Sequence, residues 1–100
     1  MPEPVVVHRP ANDKAGSGVF AIEAGGKELG FLDYTRPDAG TICIEYVEVA
    51  PAMRGRDLGK RLVDAAVSWA RGERRKVSAT CGFARAVLDA TAEYQDVRLK

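Results

Sequence analysis

Between Thr41 and Cys81 the chain changes hydrophobic period twice, and this limits its fold more than any other feature. Thr41 to Val49 (TICIEYVEV) reads as a long strand, with Ile42, Ile44 and Tyr46 expected on one face. Pro51 ends it, because proline has no amide to give to a ladder. From Leu58 the period becomes helical. On a 100° wheel, Leu58, Leu62, Ala65, Ala66, Trp69 and Ala70 fall on one side, and Lys60, Arg61, Asp64, Ser68 and Arg71 on the other. Gly72 is expected to stop this helix, with Arg71 suited to its dipole. Lys76 to Cys81 (KVSATC) then reads as a strand. A strand–helix–strand succession sets its two strands parallel through a crossover. The helix must cover one face of whatever sheet contains them.

Upstream, the pattern is a meander. Pro4 to His8 is short and β-branched, Asn12 to Gly18 has loop composition, and Val19 to Ala24 reads as a second strand. Gly25-Gly26 marks a tight turn into a third strand, Lys27 to Tyr34. Arg36 to Gly40 reads as the next turn. A short helix from about Phe83 to Ala90 and a tail containing Tyr94 close the chain. The expectation is one α+β domain over residues 1–100: a mixed, mostly antiparallel five-stranded sheet with one β-α-β crossover and a short C-terminal helix.

A chain of 100 residues with 46% hydrophobic residues can bury a core. No run approaches the length of a membrane span, and the start MPEPVVVHRP has no signal-peptide pattern. Cys43 and Cys81 are too few for a disulfide scaffold and lack metal-ligand spacing, so no metal is expected. The expectation is a cytoplasmic domain with two free thiols. Net charge is +1, which gives no support to non-specific nucleic-acid binding. The charge is uneven, however. Residues 54–76 carry eight Lys/Arg and three Asp/Glu, whereas residues 1–53 carry four and eight. The basic stretch is either a solvated helix face or a local site for an anionic ligand.

Its position along the fold must decide between them. The loop before the long helix reads Val49-Ala50-Pro51-Ala52-Met53-Arg54-Gly55-Arg56-Asp57-Leu58-Gly59-Lys60. A helix N-terminus offers unpaired amides and partial positive charge, and glycines let a phosphate approach them. Arg54, Arg56, Lys60 and Arg61 add charge at the same point, which is chemistry suited to a pyrophosphate. The plain alternative is an ordinary loop and cap.

The stretch V-E-V-A-P-A-M-R-G-R-D-L-G-K-R-L resembles the acetyl-CoA-binding motif of the GCN5-related N-acetyltransferases (GNAT). Arg54, Gly55, Leu58, Gly59 and Leu62 match its extended form. The short loop between the first two strands, with A-T-C-G-F-A-R-A-V and E-Y-Q-D-V later, resembles the small "CG" type of that family. The resemblance implies a GNAT-like fold and an acetyl-CoA-dependent N-acetyltransferase. Its acceptor would be an amine of a small molecule, a polyamine or a protein lysine, attacking the thioester directly. Val47 and Val49 would hold the pantetheine arm through backbone groups. Arg54, Gly55, Arg56, Asp57, Leu58, Gly59 and Lys60 would hold the pyrophosphate. Cys81 matches the subfamily's cysteine after the fifth strand, as a nucleophile or as part of the thioester pocket. Glu48 stands where the family often places a general base, or is an exposed alternating residue. Tyr94 is a candidate general acid or a packing residue. Cys43, His8 and Trp69 read as structural.

Two positions depart from the family pattern. Asp57 replaces the middle glycine, where a carboxylate could cap the helix and occupy the amides a phosphate needs. Tyr46-Val47 stands where the subfamily has His-Thr. Both departures support an alternative: a GNAT fold retained for CoA binding or protein interaction, without turnover. The acidic residues Glu23, Glu28, Asp33, Asp38, Glu45 and Glu48 favour a cationic acceptor if they face the cleft. No nucleic-acid or membrane partner is expected, and oligomeric state is not legible.

Overall fold

The computed structural model describes residues 3–10 and 16–99. The chain forms β1 (Val5–Pro10), β2 (Gly18–Ala24), β3 (Lys27–Asp38), β4 (Thr41–Val49), a 3-10 turn (Pro51–Met53), α1 (Leu58–Gly72), β5 (Lys76–Ala79), α2 (Gly82–Ala90) and a second 3-10 turn (Ala92–Tyr94). The strands form one sheet in the order β1-β2-β3-β4-β5. The first four run antiparallel, and β5 pairs with β4 in parallel, from Thr41↔Lys76 to Ile44↔Ala79. The α+β architecture and its parallel pair agree with the sequence pattern. Most of the loop expected at 12–18 lies outside the described residues.

Both helices pack on one face. Phe20, Ile22, Leu32, Tyr34, Ile42, Ile44 and Val77 point into a core closed by Leu58, Leu62, Val63, Ala66, Val67, Ala70, Ala84 and Leu88. Val63 and Val67, absent from the apolar side of the wheel, are fully buried, because α1 packs on α2 as well as on the sheet. Ala65 and Trp69 are only partly buried at its edge. No helix among the described residues is long and apolar enough to cross a membrane.

Several element ends differ from expectation, each for a local reason. β3 runs on through Arg36 and Pro37, with one extra residue accommodated between Thr35 and Asp38 opposite β4, so the turn shrinks to Ala39-Gly40. The helix ends on Gly72 as expected, but glycine does not take the left-handed position there. Arg74 adopts φ 57°, and the amides of Arg74 and Arg75 bond back to the carbonyls of Arg71 and Ala70, a left-handed cap built without glycine. β5 ends at Ala79, and Thr80 and Cys81 turn away while both amides still donate to the Ile44 carbonyl. Most consequential is a bulge at Glu45: Asp33 pairs with Tyr46 but Tyr34 pairs with Ile44. The bulge reverses the alternation. Val47 and Val49 pack toward the core, and Tyr46, expected beside Ile44, stands on the opposite face at 49% exposure.

His8 stacks on Phe20 with ring centroids 4.1 Å apart, lies 4.7 Å from Trp69, and its Nε2 is 2.6 Å from the Tyr34 hydroxyl. Burial lowers the pKa of His8 below its usual value. Between the folded and unfolded pKa values the unfolded chain therefore binds more proton than the folded chain. The resulting stability is complete above pH ~6.5 and is lost as pH falls through the folded pKa. We expect a lower urea midpoint at pH 5.5 than at pH 7.5, and a smaller difference in His8→Phe. An unchanged difference in the variant would remove His8 as its source.

Candidate functional site

Beyond Ile44 the two parallel strands part. β5 supplies no partner after Ala79, so the edge of β4 from Tyr46 to Val49 has no ladder on that side among the described residues. The opposite side stays paired with β3, where Gly30 lies against Val49 and Phe31 against Glu48. The chain then turns through Pro51–Met53 and Gly55, whose φ is +85° with open space around it, and enters α1. Strand edge, turn and helix start enclose a cavity of about 560 Å³.

Its lining unites most of the residues singled out in the sequence. Val47, Glu48, Val49, Arg54, Gly55, Asp57, Leu58, Gly59 and Lys60 all border it. Arg56 is exposed and outside the lining. Cys81 is also outside. It is half-buried against the core, at the point where β4 and β5 separate, and immediately precedes α2. Glu48 is exposed. Cys43 is half-buried on the face away from the helices. Tyr94 is 4% exposed and its hydroxyl donates to the Asp64 carboxylate at 2.8 Å. Burial, then that carboxylate, pushes its pKa well above the usual tyrosine range. Tyr94 thus anchors the chain end to α1, away from the cavity.

Tyr46, Met53, Phe83 and Val87 also line the cavity. Phe83 was missed because only tertiary closure brings α2 onto the start of α1. A Cβ on Gly59 would lie 2.9 Å from Cζ of the Phe83 ring, so the two residues are in close contact. The spacing of Phe83 from Cys81 carries no sign of it.

The start of α1 is open to an anion. Asp57 occupies the position before the helix with φ 60° and ψ 19° and makes no side-chain cap bond. That left-handed conformation suits glycine and is tolerated by aspartate. The feared competition is therefore absent: the carboxylate does not take the first-turn amides. The backbone bond from Arg61 N–H to the Asp57 carbonyl opens the helical ladder, so the amides before it have no intrahelical acceptor. Arg54 and Lys60 stand exposed around them. The apolar walls (Val47, Val49, Met53, Leu58, Phe83, Val87) lead from this cationic end along the free β4 edge. The arrangement fits an elongated ligand with an anionic end and an amide-bearing arm. Among the described residues, no group of three or more His, Cys, Asp or Glu is placed to hold a metal.

The sequence profile of a family described as GCN5-related N-acetyl-transferase matches residues 19–97. No curated protein sequence matches the chain. Among solved structures, a GCN5-like putative N-acetyltransferase from Staphylococcus aureus is 29% identical, with TM-score 0.68, covering 91% of this chain and 87% of that one. An IAA acetyltransferase from Bacillus cereus shares the fold at 16% identity and TM-score 0.67, covering 87% and 74%. An aminoglycoside N-acetyltransferase in complex with CoA shares it at 18% identity and TM-score 0.62, covering 79% of this chain and 60% of that one.

Proposed function

The chain belongs to the GCN5-related N-acetyltransferase family, and on that premise we propose that its cavity takes acetyl-CoA and that the protein transfers the acetyl group to an amine. The observation that carries this reading is the continuity of the cavity, from an open helix N-terminus flanked by Arg54 and Lys60 to a strand edge freed from its neighbour. When bound, acetyl-CoA supplies an acyl group activated as a thioester.

The chain's own residues orient and shield. First-turn amides from Leu58 to Lys60, with Arg54, hold the pyrophosphate, and Gly55 and Gly59 let it approach. Arg56, outside the lining, contributes charge at a distance. Backbone groups of Val47 and Val49 pair with the pantetheine arm, while their side chains pack against the core at the cavity wall. The amine nitrogen attacks the acetyl carbonyl carbon. A C–N bond forms, the C–S bond breaks, and the electron pair leaves on sulfur. The amine must shed its proton first, and Glu48 accepts or relays it; its exposed position at the cavity lip supports that role. Direct attack needs no covalent enzyme intermediate, so Cys81 serves here as a wall of the fork between β4 and β5. Its partly buried position supports that role. Cys81→Ala then keeps most turnover, and complete loss with intact binding would make the thiol a nucleophile.

Calorimetry with acetyl-CoA tests binding, and release of CoA thiol in the presence of an amine panel tests turnover. Binding with no thiol release from any amine would leave a CoA-binding module. Absence of binding in the folded protein would overturn the proposal.

Asp57 supplies a sharper check. Its charge sits beside the proposed phosphate position, at a cost to binding of about 1 kcal/mol at an intermediate effective dielectric. Asp57→Gly is expected to tighten acetyl-CoA binding roughly fivefold, with a smaller gain at high salt, and to relieve the left-handed backbone. Weaker binding in the glycine variant would show that the carboxylate contributes to the site.

A further inference from the structure

α1 and α2 cover one face of the sheet, and among the described residues no helix packs on the opposite face of β3 and β4 beside the cavity. Tyr46, 49% exposed, stacks with Phe31 on this face at a centroid distance of 5.8 Å and an interplanar angle of 28°. Tyr46 and Glu48 both belong to the cavity lining, so this pair of strands carries the cavity lip directly onto the open face. The register places Glu48 opposite Phe31 and Asp33 opposite Tyr46. Glu45, the bulge residue, accepts a 2.8 Å bond from the Thr35 hydroxyl on the same face. Among the described residues no Lys or Arg forms an ion pair with Asp33, Glu45 or Glu48; Arg9 is engaged by Glu23 and Glu28. Two ring faces and three uncompensated carboxylates thus adjoin the place where an acceptor must enter.

Resting on the acetyl-CoA reading of the cavity, we propose that this aromatic and acidic surface is the acceptor subsite, and that it selects a linear alkyl chain with two ammonium groups. The methylene stem lies across the stacked Tyr46–Phe31 pair, Glu48 meets the reacting end, and Asp33 with Glu45 holds the remote ammonium. The rings fix the class as much as the carboxylates do: an alkylammonium gains both apolar contact and cation–π attraction from them. Same-face diagonal neighbours on antiparallel strands lie ~7–8 Å apart, the span of a lysine-length methylene chain. Burial, and then the neighbouring charge of Glu45, raises the Asp33 pKa, a strain that an arriving cation relieves. Protons balance as follows. The reacting ammonium gives one proton to Glu48 or water before attack. A second leaves as the amide forms, matching the one taken up by the CoA sulfur. The remote ammonium stays charged throughout.

The test is an NMR titration of the protein saturated with CoA, using 1,5-diaminopentane, pentylamine and a peptide with two adjacent lysines. The diamine is expected to bind about tenfold more tightly than pentylamine, the combined worth of one ion pair and ring contact. Shifts should centre on Phe31, Asp33, Tyr46 and Glu48. The double variant Asp33→Asn/Glu45→Gln should reduce the diamine to the level of pentylamine. Preference for the peptide over the diamine, with the same shifts, would support the same site and assign it to protein lysines. Equal binding of diamine and monoamine, shifts confined to other residues, or an undiminished preference in the double variant would overturn the proposal. CoA affinity is measured separately. If CoA fails to bind, the acetyl-CoA reading falls, and the same titration on the protein alone still decides the subsite.

Discussion

Gly59→Val is expected to weaken acetyl-CoA binding by at least about a hundredfold, near 2.7 kcal/mol, while the sheet and both helices remain folded. Gly59 is buried in the first turn of α1 and borders the cavity. Its backbone is helical, so valine meets no conformational barrier there, and helix propensity is slightly better than that of glycine. The steric cost falls on Phe83, whose ring edge lies 2.9 Å and 3.0 Å from an added Cβ. Phe83 is 48% exposed and can swing away. The valine branches then stand over the amides that would face a phosphate, and the displaced ring alters the apolar wall. Calorimetry with acetyl-CoA reads the loss, and far-UV circular dichroism verifies the fold. Gly72→Val, with nothing near its side-chain direction, is the matched control and should bind normally. Wild-type affinity in the Gly59 variant would remove the helix start from the binding site.

Gly30→Val should act on stability. A Cβ at Gly30 would lie 2.7 Å from the Glu48 carbonyl oxygen and 3.2 Å from the Val49 Cα, both backbone atoms of β4. Neither can rotate aside, so the strands must separate where the cavity begins. Overpacking of this kind costs about 3 kcal/mol, a large share of what a domain this size has. The expected fall in Tm is roughly 15 °C. Because β4 forms one wall of the cavity, the surviving folded fraction should also bind acetyl-CoA less well. A Tm within a few degrees of wild type would show that β3 and β4 have slack at this point.

Legibility followed sequence distance. The strand, turn and helix from Thr41 to Gly72 are contiguous, and each carries its own period or breaker, so β4, α1 and most of the cavity lining were readable. Phe83 and Val87 were not, because they reach the cavity only after the crossover brings α2 against α1. Tyr46 was placed on the wrong face because one extra residue at Glu45 inverts a strand's alternation and leaves no compositional trace. Arg74, rather than Gly72, takes the left-handed position at the end of α1, because the back-bonding pattern outweighs glycine's preference there. Val63 and Val67 were assigned too little burial because a wheel assumes one packing partner, and α1 has two.

The last residues of the described chain act as a selvedge. Val97 and Leu99 exchange backbone bonds with Val77 along the outer side of β5. Arg71 pins Asp96, and Arg98 pins Asp89. A strand with a free margin invites the same strand of another molecule to dock alongside it. Here that margin is hemmed by the protein's own tail, so trimming the tail would expose it to edge-to-edge pairing with a second copy, even though no residue of the cavity had been touched.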